Sequence, residues 1–149
     1  MESIDDLGRG ELILLEAKML MSVGRPTEAE GFLSDAESLF RGMSEAEGLC
    51  NVLINKSQIK LCQGQVPLAI SDIEEAASIG GNMATQLRYG KMLFYRGLAY
   101  LAIGRELDAH RDFVEYISTA ERIDDYHAQA LGHFYHALAF ERHMEPCMA

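Results

Sequence analysis

Shifted by forty residues, the chain aligns with itself. Gly24, Gly64 and Gly104 share one column, and Ala29, Ala69 and Ala109 share another five residues on. A fixed period of roughly 20–50 residues marks a protein built from stacked supersecondary units. Each unit is too small to bury its own apolar face, so its neighbours must cover it. Such a chain is read first for a binding surface and only then for an active site.

The helical periodicity predicts helices over 10–23, 26–40, 45–63, 66–79, 83–103, 106–120 and 124–142. Gly24, Gly64 and Gly104 each follow an apolar helical run, where a left-handed residue closes a helix. Pro26 suits the first turn of the next helix, where its missing N–H is no loss, and Pro67 does the same one position later. Ser44 with Glu47 three residues on reads as a capping box. Asn82 is a candidate cap for the fifth helix. Asp124 and Asp125 set negative charge at the start of the seventh. Each row of forty is thus helix, short turn, helix: rows 1–40, 41–80 and 81–120, then a terminal helix within 121–143.

Composition narrows the class. The 149 residues are 48 % hydrophobic, enough for one domain with a real core. The net charge is −10, and residues 1–40 alone carry nine acids and three bases. A nucleic-acid binder shows a basic stripe, and none is visible. An acidic chain of this kind suits a basic or amphipathic-helical protein partner. Cys50, Cys62 and Cys147 lack CxxC spacing and read as free, buried thiols. Asp5 and Asp6 stand where a secretory signal would be basic. No apolar run is long enough to span a bilayer, so no membrane is expected and the cytoplasm is the expected location.

Small residues recur where helices must approach closely: Ala17, Ser57, Gly97 and Ala137 in the first helix of each row, and the alanine column above in the second. One turn after those alanines come Leu33, Ile73 and Phe113. The pattern Ala-x3-Leu/Ile/Phe after a small residue in the first helix resembles the tetratricopeptide repeat over residues 10–143. The period is 40 rather than 34, as in long variants of that family. The family's tryptophan position holds Ile13, Leu53, Leu93 and His133, and its first-helix leucine is replaced by Glu16, Lys56, Arg96 and His136. The resemblance implies a single all-α domain: a right-handed α-α superhelix, or solenoid, of three helical hairpins plus a C-terminal helix. It also implies a non-enzymatic scaffold that takes a peptide or helix in a groove lined by first helices, with no cofactor.

The candidate lining follows from those helices: Asn51, Ile54, Asn55 and Gln58 from the third, Lys91, Phe94, Tyr95 and Leu98 from the fifth, and Phe134 from the seventh. Adjacent aromatics on one helix cannot all enter one core stripe, which favours Phe94–Tyr95 and Phe134–Tyr135 as surface. Asn51 and Asn55 lie one turn apart and could bond an extended peptide's backbone. Lys18, Lys56, Lys60, Arg88 and Lys91 do not reproduce the family's carboxylate clamp. His127, His133 and His136 lack helical zinc spacing, and the chain has no HExxH, P-loop or GxSxG motif, so no catalytic or metal residue is assigned. The other readings are a sensor or regulatory domain of a larger signalling system and, more remotely, a histidine–metal enzyme. The apolar seventh helix points to self-association or to a continuing array.

Overall fold

A computed structural model of the chain describes the backbone of residues 2–80 and 86–148 and the side chains of residues 6–79 and 88–141. The described residues form seven α-helices and no strand: α1 (Glu2–Ser22), α2 (Pro26–Gly42), α3 (Ala46–Cys62), α4 (Val66–Gly80), α5 (Gln86–Ala102), α6 (Glu106–Arg122) and α7 (Tyr126–Met148). None of the helices described is long and apolar enough to cross a membrane. The chain divides into two compact units, residues 1–81 and 82–149.

Among the described residues, left-handed turns fall at the glycine columns and also midway between them. Gly24, Ser44, Gly64, Gly104 and Asp124 all have positive φ, from 54° to 81°. Each is followed by a residue whose N–H returns five positions: Arg25 to Leu20, Glu45 to Phe40, Gln65 to Lys60, Arg105 to Tyr100 and Asp125 to Ala120, at 2.8–2.9 Å. This is the Schellman closure, in which a left-handed residue satisfies the orphan carbonyls of the last turn. The same returning residue begins the next helix, since its own carbonyl accepts from Ala29, Leu49, Ala69, Ala109 and Gln129 in turn. Pro26 stands in the first turn of α2, where a proline is harmless.

One expected cap is corrected by this geometry. Ser44 is the left-handed residue itself, so it does not cap α3. Glu45 does, its Oε1 accepting from the Glu47 N–H at 3.2 Å. Asp124 likewise closes α6, while Asp125 caps α7 by accepting from the Ala128 N–H at 2.9 Å. Asn82 lies outside the described residues. The first helix starts earlier than its glycines suggest, at Glu2, and the last runs on to Met148.

In the first unit, α2 packs between α1 and α3, α3 packs on α4, and α1 also touches α3. The small-residue columns form the seams. Ala17, Ser57, Ala29, Ala69, Leu33 and Ile73 are all buried. Phe40, at the end of α2, is pinched between two glycines. A Cβ on Gly10 of α1 would stand 2.8 Å from its ring, and one on Gly48 of α3 would stand 2.5 Å away. In the second unit, α6 packs on both α5 and α7, with a lighter contact between α5 and α7. Here Gly97 makes room for Phe113, whose ring lies 2.7 Å from where its Cβ would be. Ala137 is exposed, because no described helix follows α7 to cover that column. Of the cysteines expected to be buried, Cys50 is, with Sγ donating to the Ala76 carbonyl at 3.4 Å. Cys62, the last residue of α3, is exposed.

Candidate binding surface

The residues expected to line a groove divide by unit. In the first, α3 has α1, α2 and α4 around it, and Val52, Leu53, Ile54 and Asn55 are all buried. Four consecutive helical residues sweep about 300°, so α3 is covered on nearly every side. Ile54 is therefore core and not lining. Asn55 is buried too, and its amide donates to the Asn51 carbonyl at 2.7 Å within its own helix. Asn51 and Gln58 are half-buried. Asn51 borders a hollow of about 260 Å³ with Leu7, Leu14 and Phe40, rimmed by Glu11, Glu45 and Glu47.

In the second unit the aromatic residues come together. Phe94 of α5 is half-buried at the centre, with ring centroids of Tyr95 at 5.4 Å, Tyr116 at 5.1 Å and Tyr135 at 5.5 Å. Tyr135 also stacks on Phe113 at 5.9 Å. Phe134 lies edge-on to Tyr135 at 5.1 Å and remains 62 % exposed. Neighbouring positions on α7 thus split, Tyr135 facing inward and Phe134 outward. Edge and offset contacts of this kind hold rings in fixed orientations. Lys91 is exposed and Leu98 half-buried. Burial, followed by the nearby Asp125 carboxylate, pushes the Tyr116 phenol up.

Of the polar first-helix residues spaced forty apart, Glu16, Lys56, Arg96 and His136, the last three tie helices together. Lys56 of α3 reaches Glu37 of α2 at 2.7 Å. Arg41 joins the same Glu37 at 3.5 Å to Glu75 of α4 at 2.6 Å. Burial alone would raise the Glu37 carboxyl, but Lys56 and Arg41 outweigh it and hold the group below its usual range. Lys60 pairs with Asp72. Both lysines are thus engaged in the fold. Arg96 of α5 holds Asp112 of α6, and His136 Nε2 of α7 meets His110 Nδ1 of α6 at 2.8 Å. For Lys56, Lys60 and Arg96 the available signal was an opposite charge twelve to nineteen residues away on the neighbouring helix. The histidine pair had no such signal. Burial, then His110, then His133 lower the His136 pKa. Among the described residues no three His, Cys, Asp or Glu side chains are placed to hold a metal.

No protein-family model matches the chain, nor does any curated protein or any solved structure.

Proposed function

We propose that the chain is a tetratricopeptide-like, non-enzymatic interaction module that holds a peptide or amphipathic helix of a protein partner. On this reading the helices of each unit follow the right-handed hairpin stacking of that family. The buried small-residue columns and the repeated glycine closures support it. The contact surface is the aromatic face of α5 and α7, with Phe134 as the anchor and Phe94, Tyr95, Leu98 and Lys91 beside it. The observation that carries this reading is Phe134. A phenylalanine left 62 % exposed, yet oriented by a ring contact to Tyr135, is a rigid apolar anchor of the sort that dominates interfaces. Apolar anchors spaced along a helix face suit an incoming amphipathic helix.

The test is capture of partners by the full chain, compared with Phe134→Ala and with Gln129→Ala as a control on the same helix. Loss of the captured protein with Phe134→Ala alone supports the reading. Equal capture by all three proteins moves the site off this face.

A further inference from the structure

α1 carries a row of large apolar side chains on its surface. Leu12, Leu15, Met19 and Val23 are 68, 54, 62 and 68 % exposed. The spacing of three and four residues keeps Leu12, Leu15 and Met19 on one side of α1 for two turns, about 10 Å, and Val23 follows just past the last helical residue, Ser22. Single exposed apolar residues are ordinary, but a continuous row marks a contact surface.

The internal repeat shows what belongs on that row. Forty residues on, the columns of Leu12, Leu15 and Met19 hold Val52, Asn55 and Ile59, all buried. Val52 lies one turn from Gly48, which meets the Phe40 ring of α2, and one turn from Lys56, which pairs with Glu37 of α2. The helix that precedes α3 therefore covers this side of it. The arrangement recurs 120 residues on. There the columns of Leu12 and Met19 hold Gly132 and Ala139 of α7, both buried, and a Cβ on Gly132 would stand 2.6 Å from Ile117 of α6. Twice in this chain the same side of a first helix lies under the helix before it. Among the described residues nothing covers it on α1.

The charge column beside the row specifies the occupant further. At the position of Lys56, which pairs with Glu37 of its covering helix, α1 has Glu16. A helix seated on α1 as α2 sits on α3 would match Glu16 with a cation where α2 has Glu37. The corresponding residues of α4 and α6 are Ala77 and Ile117. None of the three second helices carries a base there, so a second copy of the chain does not supply the match.

We propose that Leu12, Leu15, Met19 and Val23 form a docking face for an amphipathic helix of a partner protein, with a lysine or arginine set opposite Glu16. This face is on α1, and it stands independently of the aromatic face of α5 and α7.

Two labelled synthetic peptides serve as probes, titrated against the full chain by fluorescence anisotropy. One is the α2 sequence, residues 26–42, and the other is the same peptide with Glu37→Lys. The lysine peptide binds about fivefold more tightly than the unchanged one, the difference between an attractive and a repulsive pair across the seam. Glu16→Lys in the chain reverses that order. Met19→Asp removes binding, and since residue 19 is on the surface its helical circular dichroism stays as in the parent. Leu12→Asp does the same should Met19→Asp fold poorly, and Phe134→Ala leaves binding intact. The proposal is overturned if neither peptide binds, if both bind equally, or if Met19→Asp and Leu12→Asp leave binding unchanged. A dimer by light scattering that Met19→Asp dissociates overturns it as well, because a second copy would then occupy the face.

Discussion

Arg96 and Asp112 join α5 to α6 by two parallel hydrogen bonds, Nε to Oδ2 at 2.8 Å and Nη2 to Oδ1 at 2.7 Å. The pair is part-buried: the Arg96 side chain is 25 % exposed and that of Asp112 only 7 %. The hydrogen bonds to Asp112, set against burial, raise the Arg96 pKa further. Asp112 also falls one residue before Phe113, whose ring fills the space that Gly97 leaves on α5. Charge pairing and ring packing thus hold the same two helices together.

Arg96→Met leaves Asp112 buried without its partner. It lowers stability by about 2 kcal/mol, less than a fully buried pair because Arg96 retains some solvent. Adding Asp112→Leu removes the stranded charge and recovers most of the loss. Urea denaturation of the two single variants and the double variant measures the coupling. Simple additivity would show that the two side chains act separately.

Gly48→Ala places a methyl group 2.5 Å from the Phe40 ring, which Gly10 blocks on its other side. Overpacking of this kind costs about 1–3 kcal/mol. Phe40→Leu in the Gly48→Ala background restores part of it by freeing space. Thermal melts of the two variants check the order.

Ser44 adopts φ 54°, where a Cβ is unfavourable, in the same closure that uses glycine at position 64. Ser44→Gly therefore stabilises the chain by up to about 1 kcal/mol, and Gly64→Ser destabilises it by a similar amount. The two midpoints in urea should move in opposite directions. A shift of Ser44→Gly to lower urea would show that the serine hydroxyl contributes more than the strain costs.

The His110–His136 contact makes stability depend on pH. Burial, His110 and His133 disfavour the charged form of His136, so its folded pKa lies below the ordinary value of about 6.5. Just below that pH the unfolded chain binds the proton more readily than the folded one. Stability is full above about pH 6.5, falls as the pH drops through the window, and levels off once the folded imidazole is also protonated. Urea midpoints at about pH 7.5 and about pH 5.5 should differ in the parent and differ less in His136→Gln. A separate loss begins below about pH 4.5, where the unfolded chain takes up a proton that Lys56 and Arg41 keep off Glu37 against the effect of burial. Glu37→Gln isolates it.

Much of the architecture was legible in local sequence. Gly24, Gly64 and Gly104 occupy the left-handed positions their neighbours predicted, because that conformation is cheap only for glycine. Ser44 and Asp124 close their helices in the same way with no glycine to announce them, so the described turns outnumber the glycine column. The candidate surface was less legible. Phe94, Tyr95 and Phe134 share one aromatic cluster. Ile54 and Asn55 were set on a surface, yet α1, α2 and α4 surround α3. Periodicity identifies an apolar side of a helix but not how many neighbours a helix has.

The sequence by itself determined the spacing of helices, the sites of their turns and the columns where small residues permit close approach. These depend on short-range sterics and on the 3.6-residue turn, both carried within a few positions of chain. Only the tertiary structure decided which columns are covered. Leu12 and Val52 occupy the same column, and one is exposed while the other is buried. Among the described residues a neighbouring helix covers Val52 and none covers Leu12, since burial is a property of what stands opposite a side chain and not of the side chain's own position.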